Sequence, residues 1–126
     1  MNEALVEEAE SWLIQLHKDL SSDRGYEREP TLLYNRVAWE VKLLSPELQD
    51  AVKAVLAKWL KSNNIELIMD ALRLILRLES IEFIPLIEQV YRQLAADPIA
   101  SGTTAEMVKD DLNLLQRYKD SGLQKS

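Results

Sequence analysis

The chain has 126 residues, 47% of them hydrophobic, and a net charge of -6 from 21 acidic and 15 basic side chains. That length suits one domain, residues 1–126, with a core large enough to need no disulfide or metal. Cysteine is absent, which excludes a disulfide framework, a thiolate zinc site and a cysteine nucleophile. No run approaches the roughly 20 apolar residues of a membrane span. Residues 1–10 are acidic rather than basic and then apolar, so a soluble cytoplasmic protein without membrane contact is expected. Nucleic acid repels such a surface unless basic residues segregate on one face. Lys53, Lys58 and Lys61 are near one another, but Glu47 and Asp50 precede them on the same predicted helix. No nucleic-acid partner is expected, whereas an acidic surface suits a basic protein partner.

Six helices can be read in chain order from caps and periodicity. The first spans about 2–20, with Leu5, Ala9, Trp12, Leu13, Leu16 and Leu20 on one stripe. Residues 21–30 are polar and include Gly25, which reads as a loop. The second helix opens at Pro30 or Thr31 and runs to about Leu44. Its main face is Leu33, Val37, Val41 and Leu44; Leu32, Trp39 and Leu43 lie off that face. A capping Ser45 before Pro46 starts the third helix, whose stripe is Leu48, Val52, Val55, Leu56 and Trp59. Ser62, Asn63 and Asn64 end it and cap the fourth, which reaches about Leu78. The fifth begins within 82–85 and carries Phe83, Ile87, Val90, Tyr91 and Leu94. A second polar loop contains Pro98. Thr103 with Glu106 then reads as a capping box for a sixth helix. That helix is expected to reach about Asp120, with Gly122 as its stop and a frayed tail beyond.

The fourth helix sets the architecture. Ile65, Met69, Leu72 and Leu76 form one stripe, Leu67, Ala71, Leu74 and Leu78 a second, and Ile68 and Ile75 lie between them. Only Glu66, Asp70, Arg73 and Arg77 are polar, and they line up in one narrow strip. A helix with a single polar strip must be covered on most of its circumference. In a chain without a sheet, other helices must cover it. The expected fold is therefore all-α, with six helices as about three stacked antiparallel hairpins. Helices two, four and six form one row, and one, three and five the other. A compact helical bundle is the alternative.

Residues 64–78, ending Asp70-Ala71-Leu72-Arg73-Leu74-Ile75-Leu76-Arg77-Leu78, resemble the second helix of a HEAT repeat. Ala71 falls at the small residue that lets the paired helix approach. Residues 79–87, with Ile84-Pro85, look like the family's turn into the next repeat. Ala38 and Asp111 stand 33 and 40 residues from Ala71, close to the period of such repeats. The match is carried by residues 46–94. Ile68 departs from the family, where arginine is common, and Asp111 departs from the small apolar residue. The resemblance implies an α-solenoid whose second-helix row faces a protein partner.

Few residues suggest chemistry. His17 is the only histidine and lies on the flank of the first stripe, near Ser21 and Ser22. One histidine without cysteine cannot build the usual zinc site, and no metal or other cofactor is expected. The absence of a histidine–glutamate metal register disfavours the metal-dependent hydroxylases that use HEAT-like scaffolds. Asp110 and Asp111 with Glu106 are the nearest approach to a carboxylate cluster. Asp111 projects toward the apolar side marked by Met107, Val108, Leu115 and Tyr118, so it sits at an open end or pairs with a cation. Gly25, Gly102 and Gly122 stand alone, with no phosphate loop.

No catalytic residue is assigned. The expected function is a non-enzymatic protein-interaction module, and an immunity or antitoxin-type inhibitor of a basic partner is its more specific form. The candidate contact residues are Glu66, Asp70, Arg73 and Arg77 on the fourth helix, Trp39 on the second, and Tyr26 and Arg28 in the first long loop. Trp12 and Trp59 sit within their stripes and read as core. Two rival readings remain. One is a lyase-like or auxiliary enzyme built around Asp111 or His17. The other is a self-associating structural protein, such as a homodimer formed through uncovered end stripes.

Overall fold

The computed structural model describes residues 2–23, 30–97 and 102–125. Among these residues there is no strand, and six α-helices follow in order. They are α1 (Glu3–Ser21), α2 (Pro30–Lys42), α3 (Pro46–Leu60), α4 (Ile65–Leu78), α5 (Ile84–Ala96) and α6 (Gly102–Lys125). A 3-10 turn, Ile81–Phe83, precedes α5. No described helix is long and apolar enough to cross a membrane. Tyr26 and Arg28 lie outside the described residues, as does most of each long polar loop.

The chain divides into two compact units, Met1–Lys58 and Trp59–Ser126. In the first, α1 packs on α2. Asn2 caps α1, its side-chain oxygen accepting from the Ala4 amide at 2.9 Å. Ala9 and Leu13 are the buried residues of α1, and Leu33, Tyr34, Val37, Ala38 and Val41 those of α2. Lys58 on α3 reaches Glu10 on α1 at 2.9 Å. The start of α3 is built as its Ser-Pro sequence requires: the Leu48 amide donates to the Ser45 hydroxyl at 3.3 Å, and Pro46 loses no amide bond there. The Gln49 side chain donates to the Leu44 carbonyl at 2.9 Å, closing the turn between α2 and α3.

In the second unit α6 packs on both α5 and α4, and the 3-10 turn packs on α5 and α6. Seven residues of α4 are buried: Ile68, Met69, Ala71, Leu72, Leu74, Ile75 and Leu76. At 3.6 residues per turn they cover an arc of roughly 220°. The helix is thus enclosed on several sides, as its single polar strip demands. Its first turn is held by Asn64, whose side-chain oxygen accepts from the amides of Glu66 at 2.9 Å and Leu67 at 3.4 Å. Its last turn closes on Glu79 at φ 53° and ψ 39°, the one non-glycine residue with positive φ among those described. The Glu79 amide donates to the Leu76 carbonyl at 3.1 Å and the Ser80 amide to the Ile75 carbonyl at 3.2 Å. This is a Schellman ending without the glycine that usually makes it.

The last helix differs from expectation at both ends. It starts at Gly102, so Thr103 lies inside the first turn rather than capping it. It also continues through Gly122 to Lys125. A glycine in a helix costs about 1 kcal/mol relative to alanine. It ends the helix only where the backbone turns left-handed, and no described glycine has positive φ.

Candidate protein-binding surfaces

The polar strip of α4 is partly engaged within its own unit. Glu66 is exposed, whereas Asp70, Arg73 and Arg77 are half-buried. Asp70 and Arg73 are not free of partners. Arg73 and Arg77 both act on Asp111 of α6, which is itself half-buried. Burial pushes the Asp111 carboxyl above its ordinary range. Arg73 opposes that shift, neighbouring Asp110 adds to it, and Arg77 opposes it again. Asp111 therefore has the cations that a carboxylate beside an apolar side needs. Only the outer edge of the strip faces solvent.

The apolar side of α6 is narrower than its sequence suggests. Ala105, Val108 and Leu115 are buried, but Met107 and Tyr118 are exposed, together with Leu114. Met107, Asp111, Leu114 and Tyr118 follow one another at steps of four, three and four residues, so they share one face of the helix. The sequence signal for this second stripe is that spacing, which a search for one core face passes over.

Leu32 (46% exposed) and Trp39 (52%) on α2 and Leu43 (63%) in the turn just after it form an outer apolar row. Trp39 is therefore about half exposed among the described residues. Arg36 sits within the row, its guanidinium carbon 4.9 Å from the centroid of the Trp39 ring. Glu40 holds the same guanidinium at 2.8 Å. Cation–π contact at an exposed site is worth about 0.5–1 kcal/mol, and an exposed i,i+4 ion pair about 0.3–0.5 kcal/mol. Those energies suffice to orient Arg36 but leave it able to exchange partners. Arg36, Leu32 and Leu43 join Trp39 as candidate contact residues that the sequence did not single out. An arginine three residues before a tryptophan is the signal that was present.

The other tryptophans are placed differently. Trp59 is buried, and its carbonyl accepts from the Ser62 hydroxyl at 2.7 Å. Trp12 is half-buried and lines an apolar notch of about 60 Å³ with Glu8, Ala9, Leu44 and Leu48. A notch of that size holds a small apolar group, well below the roughly 300 Å³ at which pockets for small molecules begin.

Among the described residues, no nucleophile is aligned with His17. Its ring lies 5.9 Å from that of Tyr34, between α1 and α2. Its Nε2 has no hydrogen-bond partner among the described residues. The Ser21 hydroxyl is 3.4 Å from His17 Nδ1 but donates to the His17 carbonyl at 2.6 Å. A serine whose proton is committed to a backbone carbonyl is not aligned to pass it to the imidazole. Among the described residues, no group of three or more His, Asp or Glu side chains is gathered as a metal site would require.

No family model, no curated protein and no solved structure matches this chain.

Proposed function

We propose that the protein is a non-enzymatic protein-interaction module in which the outer row of α2 is the principal contact surface. The observation that carries this reading is the exposed Trp39, flanked by Leu32 and Leu43 and overlaid by Arg36. Tryptophan and arginine are the residue types most enriched at binding hot spots. A solvent-facing tryptophan in a row with two exposed leucines is costly for solubility unless something covers it. The acidic balance of the chain favours a basic partner by electrostatic steering, as an immunity or antitoxin-type inhibitor would require. Such a protein works in the cytoplasm as a rigid display surface, without cofactor or chemistry.

The architecture proposed for this display is a HEAT-like row of hairpins. It is supported by the pairing of α1 with α2 and of α5 with α6, and by the contact of α4 with α6. The exposed end of the α4 strip, around Glu66, is the secondary contact site.

Affinity capture with the wild-type chain, Trp39→Ala and a Glu66→Lys variant tests the reading. A genuine partner is retained by wild type and lost by at least tenfold with Trp39→Ala, while circular dichroism shows unchanged helix content. Capture indifferent to Trp39 and dependent on Glu66 would move the contact surface to α4. A capture pattern indifferent to both would remove the reading.

A further inference from the structure

The outer rows of α2 and α6 have the same spacing and opposite central charges. The first row is Leu32, Arg36 and Trp39 of α2 with Leu43 in the turn that follows; on α6 it is Met107, Asp111, Leu114 and Tyr118. Both step by four, three and four residues, which is the d-a-d-a seam of a heptad. In each row the three large apolar side chains are exposed, and the second position carries the charge. We propose that the partner of the α2 row is the α6 row of a second copy of this chain, docked parallel so that Arg36 meets Asp111.

This inference rests on the reading of the α2 row as a contact surface, and it gives that row an acidic partner in place of the basic one that the net charge of the chain favours. Charge decides between the parallel pairings. In a parallel helix pair, a positions share a layer with a positions and d with d. Docking α2 on α6 in that register sets Leu32 beside Met107, Arg36 beside Asp111, Trp39 beside Leu114 and Leu43 beside Tyr118. Docking α2 on α2 in parallel sets Arg36 against Arg36, and α6 on α6 sets Asp111 against Asp111, both repulsive. Antiparallel docking of α2 on α6 puts each charge opposite an apolar side chain, which desolvates it without a partner. A polar pair at one a layer fixes partner and register in this way even at some cost in stability.

Each charge is positioned for the contact by its own unit. Arg36 is steadied by the Trp39 ring and by Glu40. Asp111 is half-buried, with Arg73 and Arg77 acting on it. Asp110, exposed beside it, adds to the acidic character of that face. The contact is heterologous: each copy uses one row and leaves the other free, so assembly does not stop at two chains unless a ring closes. Three apolar side chains a side fall well short of the roughly 800 Å² per partner of a standard interface. The association is therefore weak, with a dissociation constant on the order of 10–100 μM.

Sedimentation velocity of the full chain from about 10 μM to about 1 mM, at low salt, tests the proposal across that range. The expected result is a mass that rises with concentration past two chains. R36D and D111R, each alone, should weaken association at least tenfold, because each creates a like-charge layer. A 1:1 mixture of R36D and D111R should restore it, because both layers are then complementary. Asp111 also supports α6, so Leu114→Glu provides a second disruption at an exposed site. Mixing L114E with R36D should give species that stop at two chains, since only one good contact remains. A wild-type chain that stays monomeric at the highest concentration overturns the proposal, while the capture experiment with Trp39→Ala still decides the interaction reading. Association that R36D weakens but D111R and L114E leave intact also overturns it, in favour of a contact between two α2 rows.

Discussion

Leu72 is the sharpest probe of the enclosure of α4. It is fully buried, at 0% exposure, in the middle of the arc formed by Ile68, Ile75 and Leu76. Leu72→Ala removes three carbon groups, worth about 2.4 kcal/mol at roughly 0.8 kcal/mol per buried CH₂. A residual cavity of roughly 40 Å³ adds about 1 kcal/mol at ~24 cal/mol per Å³. The total is about 3.4 kcal/mol. For a chain of this size that lowers the melting temperature by roughly 10–15 °C. Ile65 stands two turns earlier on the same stripe but is exposed. Ile65→Ala should therefore cost less than about 1 kcal/mol. Urea unfolding followed by circular dichroism, with thermal melts alongside, reads both variants. Equal costs for the two, or less than about 1 kcal/mol for Leu72→Ala, would refute the multi-sided burial of α4 on which the fold argument rests.

Other consequences can be measured in the same assays. Asp111 has a folded-state pKa raised by burial, so above its ordinary value near ~4 the native state binds the proton that the unfolded state has lost. Its contribution to stability is full below that value and is lost as pH rises through the raised pKa. Asp111→Asn should remove this decline, so the wild-type minus variant stability difference falls over that window; a difference that is flat or rises with pH contradicts the burial of the carboxyl. Glu79 holds a left-handed conformation at φ 53°, which costs a non-glycine residue about 1–2 kcal/mol. Glu79→Gly should stabilise the protein by about 1 kcal/mol after the extra freedom it gives the unfolded chain. Asn64→Ala removes acceptance from the Glu66 and Leu67 amides and should cost about 1 kcal/mol.

How much of this was legible in the sequence depended on whether one element alone determined the outcome. The enclosure of α4 was legible because its four polar residues crowd one strip, leaving most of its circumference apolar. The Asn64 cap and the Ser45-Pro46 start were legible because each is settled within a few residues of chain. The ending at Glu79 was not, since the usual signal is glycine and here a glutamate takes the left-handed conformation. The run of α6 through Gly122 was misjudged because glycine weakens a helix without necessarily ending it.

Surface assignments were harder. Trp39 stood off the main face of its helix in sequence, but whether a neighbour covered it depended on the other helices. Arg73 and Arg77 appeared as a free polar strip because sequence cannot show that Asp111, more than thirty residues away, lies within their reach.

The central claim is that the outer row of α2 is made to be covered by protein. The indole N–H signals of Trp12, Trp39 and Trp59 report on it directly by NMR, assigned through single Trp→Phe variants. On concentrating the wild-type chain from about 10 μM to about 1 mM, spanning the affinity expected for a weak contact, the Trp39 signal should shift progressively. The signals of half-buried Trp12 and buried Trp59 should hold their positions. A Trp39 signal that stays fixed across that range would contradict the claim as it applies to the second copy, and equal movement of all three would point to a general rearrangement instead of a contact at α2.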